Sequence, residues 1–423
     1  MQKFFWFIPI LIGISYYACL PFSPTVKMRF AQAADVQFVP SEMDKSNRGP
    51  CLRSSSYIPD TNYLDHYSPK LMRVAVHFMN TDAGGYNYEG IEAIKFARGL
   101  INTANSDLKK NYKMNLPVEN ETPKLPILYE YKLINKPENS AEKAIYFHYD
   151  DECAFYVHRG KNRNIYDKTV LDRYGIMKDS VLNVFIMPHH PDSVKSKTYE
   201  AGAVGVAPGS YFKIAGPYET KKKNWEFKGL FNHEVGHVLT LAHSWRGNDG
   251  CEDTPKHPNC FNRNAGSRCG DEVSNNVMDY NAWQHAYTPC QIGRIHLSIA
   301  KEKSRQRKLF MPRWCEINPA KNITIRDRVD WNCMKDLEGN LRIESGGVLT
   351  MRCRTSLPKD AKITVAAGGK LILENARLHN SCGEEWAGIV IEKEGKVEGE
   401  VVFMGTAAVE DVRFPIEVDV DKE

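Results

Sequence analysis

The sequence predicts an α+β domain, built from a twisted sheet and long helices, followed by a small all-β domain. Residues 71–78 alternate between apolar and polar as a strand does, and residues 90–108 then carry apolar positions at helical spacing. Residues 181–187 form a second strong strand candidate. From about residue 317 onward, short β runs with paired glycines replace the helical pattern.

Length and composition support more than one domain and an ordinary globular class. The 423 residues exceed the usual size of one compact core. Hydrophobic residues make up 42% of the chain, charged residues 26%, and the formal net charge is only +4. Because this positive excess is small, we expect no nucleic-acid partner.

The N-terminus predicts export. Lys3 precedes an apolar run over residues 4–22, after which the sequence turns polar, so residues 1–34 are assigned to a signal peptide or a lipoprotein signal. Residues 31–33, Ala-Gln-Ala, have the small-x-small form of a cleavage site, whereas Cys19 resembles the lipidated residue of a degenerate bacterial lipoprotein site. The two routes lead to free secretion or to a membrane tether at the outer surface. An uncleaved anchor is a third interpretation, weakened by the two prolines of the run.

The segment after the signal lacks clear periodicity. Residues 35–70 are polar and carry Pro40, Gly49, Pro50 and Pro59, which predicts an extended or propeptide-like lead-in. The catalytic domain is then assigned to residues 71–313 and the all-β module to residues 317–423.

Cysteine usage predicts disulfides. An exported chain with eleven cysteines is expected to pair them, and removal of Cys19 leaves an even set of ten. Four of these lie between residues 251 and 290, where we expect two bridges within a loop-rich stretch.

The C-terminal hundred or so residues contain an internal repeat. Residues 341–351 are echoed by residues 363–373 and more loosely by residues 389–397, each a strand, a Gly-containing turn and a strand. A period of roughly twenty residues predicts a solenoid of stacked coils. The module resembles short β-solenoid domains of exported proteins of Bacteroidetes-type bacteria, which implies attachment to a cell-surface ligand or approach to a substrate.

A metal-binding pattern lies on the helix predicted over residues 224–241. Its letters HEVGH place His233 and His237 four residues apart, on the same face of a helix, so both can reach one ion. Glu234 then lies beside the metal and can accept a proton from an activated water.

A zinc site needs a third protein ligand, and His243 is the candidate. If the helix continued, His243 would lie about 9 Å further along its axis and away from the face of His237. The helix must therefore end soon after His237, and the chain must turn back near Thr240.

The extended motif resembles the metzincin clan of zinc peptidases. Residues 233–243 read HEVGHVLTLAH, and residues 275–280, NNVMDY, resemble the methionine turn of that clan. Together with Asp-Thr-Pro at 253–255 and Tyr-Thr-Pro at 287–289, these motifs are most similar to those of the pappalysin family. The resemblance is strong over residues 225–300 and weak back to residue 71.

The resemblance implies an α+β metzincin-type domain with one catalytic zinc on His233, His237 and His243. It makes Glu234 the general base, Met278 the hydrophobic floor and Tyr280 a hydrogen-bond donor to the transition state. Thr240 stands where the clan usually has glycine, so the turn either has another conformation or is strained.

Two further sites follow from the resemblance. It implies a structural calcium near Asp249, Asp253 and Thr254, for which a solvated acidic turn is the alternative. Cys51 either forms a bridge with Cys153 or holds latency as a thiolate on the zinc.

The predicted function is that of an exported zinc endopeptidase acting on proteins or peptides. The alternative is a cell-surface binding or adhesion protein with a vestigial peptidase domain. Specificity is expected to depend on the pocket below the methionine turn, which includes Trp283, Gln284 and His285.

Overall fold

The computed structural model describes residues 25–41, 49–134, 144–262, 270 and 272–416. The predicted apolar signal and Cys19 lie outside these residues. Among the described residues no helix is both long enough and apolar enough to cross a membrane.

The chain forms seven α-helices and twenty-one strands within the described residues. The helices are α1 Gly90–Lys110, α2 Thr169–Tyr174, α3 Pro191–Val194, α4 Pro217–Thr220, α5 Lys228–Val238, α6 Pro289–Ala300 and α7 Arg305–Lys308. The first eight strands are β1 Val26–Phe30, β2 Val36–Val39, β3 Lys70–Asn80, β4 Tyr129–Leu133, β5 Ile145–Tyr149, β6 Leu182–Met187, β7 Val204–Val206 and β8 Tyr211–Ala215. The others are β9 Ile323–Ile325, β10 Arg328–Trp331, β11 Lys335–Asp336, β12 Leu341–Ile343, β13 Val348–Met351, β14 Thr355–Ser356, β15 Lys362–Val365, β16 Lys370–Glu374, β17 Arg377–His379, β18 Gly388–Glu394, β19 Val397–Glu398, β20 Glu400–Met404 and β21 Ala408–Val409.

Residues 71–313, which the sequence predicts to be a peptidase domain and which are called the peptidase part below, contain most of one largely parallel sheet. Its strand order is β4-β3-β6-β8-β7, with β5 also paired to β3. Its last strand, β7, runs antiparallel to β8. The strands predicted over residues 71–78 and 181–187 correspond to β3 and β6, whose residues are almost entirely buried. In a parallel sheet both faces of a strand are commonly buried, so the alternation predicted for residues 71–78 does not separate a buried from an exposed face of β3.

Helices α1, α5 and α6 contribute to the large core that covers this sheet. The predicted helix over residues 90–108 is α1, whose buried face includes Phe96, Leu100 and Leu108. Thr288 caps α6: its hydroxyl accepts a hydrogen bond from the Gln291 amide, and Pro289 occupies the first turn. The mixed α/β arrangement with parallel strands is consistent with a metzincin-type peptidase domain.

The β module contains three sheets in which most strands are parallel. Their orders are β1-β18-β15-β12-β9, β10-β13-β16-β20-β2 and β11-β14-β17-β21. Leu341 lies between Ile323 and Ile363 in register, and Leu349 pairs with Leu371, so neighbouring strands come from successive sequence repeats.

The solenoid predicted for residues 317–423 is not confirmed, because those residues do not form the sheets alone. β1 and β2, from the N-terminal segment, belong to two of the three sheets, and β18 has antiparallel neighbours in β1 and β19. The sequence repeat located the strands correctly but gave no sign of partners three hundred residues away.

The cysteine pairing differs from the prediction. Cys51 bonds to Cys353, so the expected bridge to Cys153 is wrong, and Cys153 and Cys333 are free and buried. Cys251 bonds to Cys290, and Cys260 is also in a disulfide. We assumed that all ten cysteines would pair. A free cysteine can instead be buried in the core, because its thiol packs as a small apolar group.

Charged side chains join the β module to the peptidase part. Buried Asp336 accepts hydrogen bonds from Arg307 and from Arg354, the latter at 2.7 Å. Those two guanidinium groups hold the pKa of Asp336 well below its usual range despite burial. The disulfide between Cys315 and Cys382 adds a covalent link.

Candidate metal centre

Helix α5 carries the first two histidines and is held on the sheet by its apolar face. Phe231 packs edge-to-face on Phe212 of β8 and on Tyr131 of β4, with ring centroids 5.2 and 5.0 Å apart. Val235 is fully buried one turn later. This packing fixes the rotation of α5, and therefore the direction in which the histidines point.

The three predicted ligands come together. The Nε2 atoms of His233 and His237 are 3.1 Å apart, those of His237 and His243 are 3.0 Å apart, and those of His243 and His233 are 3.3 Å apart. In a tetrahedral site with zinc–nitrogen bonds of about 2.05 Å, two ligand nitrogens lie about 3.3 Å apart. The donor set therefore fits one zinc ion.

Hydrogen bonds on the far side of the rings support a cation between them. Nδ1 of His233 bonds to the Val277 carbonyl at 2.7 Å, and Nδ1 of His237 bonds to the Leu241 carbonyl at 2.9 Å. A carbonyl only accepts, so each Nδ1 carries the proton and each Nε2 presents a lone pair. Lone pairs 3.1 Å apart repel each other unless they share a cation.

The turn that delivers His243 is strained. Helix α5 ends at Val238, and Thr240 adopts a φ of 77°, in the left-handed region. The Leu241 amide donates to the Gly236 carbonyl at 2.9 Å, which closes the turn. Of the two conformations left open for Thr240, the strained one is observed, and it allows His243 to reach the other histidines.

Glu234 lies on the same helix, beside the histidines, and is only 3% exposed. Its Oε2 has no hydrogen-bond partner among the residues that the structure describes, and burial raises the pKa of its carboxyl to about 8. Gly205 of β7 packs against it: a Cβ at Gly205 would lie 2.7 Å from Glu234 Cγ and 2.8 Å from Cδ. The edge strand and the carboxylate therefore form one wall of the site.

Met278 lies under α5, as predicted, and is fully buried. A side chain at Gly236 would overlap the Met278 sulfur, so glycine at this position lets the methionine turn approach the helix. The turn is held by Asn276, whose Oδ1 accepts from the Met278 amide at 2.8 Å.

Asp279 connects the methionine turn to the third ligand, a role that the sequence analysis missed. Its buried carboxylate accepts from the Trp245 amide at 3.0 Å, from the Ser244 hydroxyl and from His257 Nε2 at 2.8 Å. These hydrogen bonds lower the pKa of Asp279 against the effect of its burial. The signal available in the sequence was the position of Asp279 between Met278 and Tyr280, but its partners Ser244, Trp245 and His257 lie in a separate loop.

Tyr280 lies at the surface of the centre, with 51% of its area exposed. Its ring centroid is 4.9 Å from that of His243 and 4.6 Å from that of Trp245. Trp245 in turn stacks on His243 at 4.2 Å. The hydroxyl of Tyr280 is therefore carried on a ring that borders the third ligand and is accessible to solvent.

The three residues proposed for calcium make other contacts. The Thr254 hydroxyl donates to Asp249 at 2.8 Å, and Asp253 accepts from the Cys290 amide at 2.9 Å. Gln284, expected in the pocket below the turn, donates to the Asp279 carbonyl at 2.8 Å. Trp283 is 43% exposed, and His285 stacks on Tyr112 with centroids 4.2 Å apart.

The geometry defines a metallopeptidase centre of the metzincin kind, and the family comparison agrees. The M43 peptidase family model, described as pregnancy-associated plasma protein-A, matches residues 165–300. This segment holds the three histidines, Glu234 and the methionine turn. The resemblance to the pappalysin family is therefore confirmed over this segment.

Solved structures that match part of the chain include three of mirolysin. They are mirolysin in complex with compound 9, mature mirolysin of Tannerella forsythia with a cleaved peptide, and a mutant of Tannerella forsythia promirolysin. The first two are each 18% identical, cover 57% of this chain and 96% of their own, and have TM-scores of 0.38. The promirolysin mutant is 17% identical, covers 61% of this chain and 86% of its own, and has a TM-score of 0.37. Because these TM-scores are below 0.5, the assignment depends on the family model. No curated protein matches the chain.

Proposed function

We propose that the protein is a zinc-dependent endopeptidase that hydrolyses peptide bonds of proteins or peptides. The observation that carries the proposal is that three imidazole Nε2 atoms lie within 3.3 Å of one another. Beside them lies the buried Oε2 of Glu234, which has no hydrogen-bond partner within the described part of the chain. His233, His237 and His243 would hold the ion. A bound zinc ion supplies Lewis acidity, which polarises a carbonyl and makes water a nucleophile near neutral pH.

Glu234 moves the proton in the proposed reaction. Its carboxylate takes a proton from the attacking water and delivers it to the departing amine nitrogen. Burial raises the pKa of this carboxyl, so once it is deprotonated it is a stronger base than an exposed carboxylate. Gly205 packs against Glu234 and limits where its carboxylate can lie.

Tyr280 is proposed to donate its hydroxyl hydrogen to the oxyanion that develops on the scissile carbonyl. Its ring borders His243 and its area is half exposed, so substrate can reach it. β7 pairs with β8 on one side, and an extended substrate would add along its other edge as a further strand.

The experiment that tests the proposal compares the parent with Glu234→Gln on a protein substrate. Glutamine keeps the size of the side chain but cannot accept the proton, so we expect zinc binding and stability to persist while hydrolysis falls by 10²-fold or more. Hydrolysis at the parental rate would refute the role of Glu234. A parent that binds zinc but cleaves no protein would favour the alternative, a binding or adhesion protein with a vestigial peptidase domain.

Several finer parts of the function stay proposals. They are export with release or a surface tether through Cys19, a structural calcium near Asp249, and a cell-surface ligand of the β module. Calcium binding would have to replace the hydrogen bonds from Thr254 to Asp249. A rise in thermal stability on adding calcium to the metal-depleted protein, absent in Asp249→Asn, would support that site.

A further inference from the structure

The N-terminal segment completes two sheets of the β module. β1 pairs antiparallel with β18 over five residues, from Val26 opposite Glu394 to Phe30 opposite Val390. β2 pairs in parallel with β20 over four residues. Without β1 and β2, strands β18 and β20 would each present a row of unpaired amide and carbonyl groups, which is a site of aggregation.

Side chains anchor the same segment. Phe30 stacks on Phe414 with ring centroids 4.0 Å apart, and Phe38 packs edge-to-face on Phe403 at 5.7 Å. Ala31, at 2% exposure, and Val36 belong to the buried core of the β module. The segment therefore contributes side chains to the core of the β module and is part of the same folding unit.

An ion cluster adds to these contacts. The Arg29 guanidinium binds the carboxylates of Asp35 and Glu398, so it joins β1 to the start of β2 and to β19. Arg29 lowers the pKa of both carboxyls. Since Arg29 is about half exposed, the pairs contribute mainly to the register of the strands.

Residues 49–67 continue this segment between the β module and the peptidase part. The disulfide between Cys51 and Cys353 closes a loop of 302 residues. The Tyr57 hydroxyl donates to the Cys51 carbonyl at 2.7 Å and accepts from the Met334 amide at 3.1 Å. His296 of α6 bonds through its two ring nitrogens to the carbonyls of Tyr57 and Ile127, at 3.0 and 2.7 Å.

We propose that residues 26–41 and 49–67 are a permanent part of the mature protein: the first range closes the β module and the second fastens it to the peptidase part. The lead-in is then neither a removable propeptide nor a latency device, because the sulfur of Cys51 is used in a disulfide. Processing must occur upstream of Val26. Of the two sites in the sequence, cleavage at residues 31–33 would remove β1, whereas cleavage before Cys19 leaves it in place.

The proposal goes beyond peptidase activity and depends on the strand pairs, on the Cys51–Cys353 disulfide and on the hydrogen bonds of Tyr57 and His296. Its test uses the full chain with the recognition sequence of a site-specific protease inserted between residues 43 and 47. The exported protein is cut in native buffer without reductant, passed over a size-exclusion column, and weighed by mass spectrometry. We expect the N-terminal fragment to elute with the rest of the chain and to leave only in denaturant.

Two variants calibrate the assay. Phe30→Ser removes the stacking on Phe414 and should let the cut fragment dissociate at lower denaturant concentration. Lys27→Ser lies on the same strand with an exposed side chain, and it should behave as the parent. Equal release from both variants would show that β1 contributes nothing to retention.

Release of the fragment in native buffer would overturn the proposal. If peptide hydrolysis then rises, the segment is a propeptide; if hydrolysis stays constant, it is a dispensable tail. The N-terminus of the processed protein gives a second test. A start upstream of Val26, with or without a lipid on Cys19, supports the proposal, and a start at residue 34 or later refutes it.

Discussion

Replacing Gly205 by alanine should impair catalysis through Glu234 while leaving the metal in place. The new Cβ would lie 2.7 Å from Glu234 Cγ and 2.8 Å from Cδ, whereas ordinary contacts begin at 3.4 Å. Glu234 must therefore move by about 0.6 Å or more, away from β7. Gly205 has no positive φ, so the effect comes from the contact and not from the backbone.

The expected loss follows from the displacement. A misplacement of about 1 Å in a catalytic group costs roughly 10²-fold, so we expect kcat/KM to fall about 10- to 100-fold, equivalent to about 1.4–2.7 kcal/mol. Zinc content and thermal midpoint should stay close to those of the parent, because the histidines are not touched. Hydrolysis of a fluorogenic peptide and metal analysis on one preparation measure both quantities.

The matched control is Gly202→Ala, three residues upstream. A Cβ at Gly202 would meet no atom within 4 Å, so this variant should keep parental kcat/KM. Parental activity in Gly205→Ala, with full zinc, would refute the idea that β7 positions the carboxylate. An equal loss of kcat/KM in Gly202→Ala and Gly205→Ala would show that this segment tolerates no substitution, independently of the position of Glu234.

The remaining predictions concern the metal, the turn, the domain contact and acid stability. His243→Ala should lose most zinc at a concentration that saturates the parent, and full occupancy by metal analysis would reduce the site to two ligands. Thr240→Gly should raise the free energy of unfolding, measured in urea, by about 0.5–1 kcal/mol. The relief of strain at a left-handed threonine outweighs the extra conformational entropy that glycine loses on folding. A loss of stability would mean that Thr240 is not strained. Asp336→Asn should lower stability by about 3–5 kcal/mol, since Arg307 and Arg354 stay buried without a full counter-charge, and a change under 1 kcal/mol would contradict this. Burial lowers the pKa of His77 from 6.5 to about 3, so its contribution to stability is complete above pH 6.5 and falls by about 2 kcal/mol between pH 7 and pH 5. In urea titrations at a series of pH values, the free energy of unfolding of His77→Gln should therefore depend less on pH than that of the parent. The same pH dependence in both proteins would refute the assignment.

Local patterns predicted the centre because its main parts are close in sequence. His233, Glu234 and His237 occupy one helix, and His243 follows after a single turn, so helical geometry alone related them. The methionine turn added a second short motif. Gly205 lies outside both motifs, and its contact with Glu234 depends on where the sheet places β7.

Long-range partners could not be predicted from local patterns. The sequence repeat located strands in the C-terminal region, yet nothing near Val26 or Val36 indicated that these residues would pair there. Even cysteine arithmetic led to a bridge between Cys51 and Cys153, whereas the observed partner of Cys51 is Cys353. A disulfide depends on where two Cβ atoms meet, and spacing along the chain does not determine that.

The sequence by itself predicted the kind of metal centre, its three ligands and the proposed base, because a helix relates residues four apart by a fixed geometry. Tertiary structure decided which groups support that centre: Gly205 beside Glu234, Asp279 behind the third ligand, and the N-terminal strands across the β module. These are contacts between segments separated by tens to hundreds of residues. Whether such contacts form depends on which helix faces pack on the sheet and which sheet edges pair with other strands. A short stretch of sequence does not specify either.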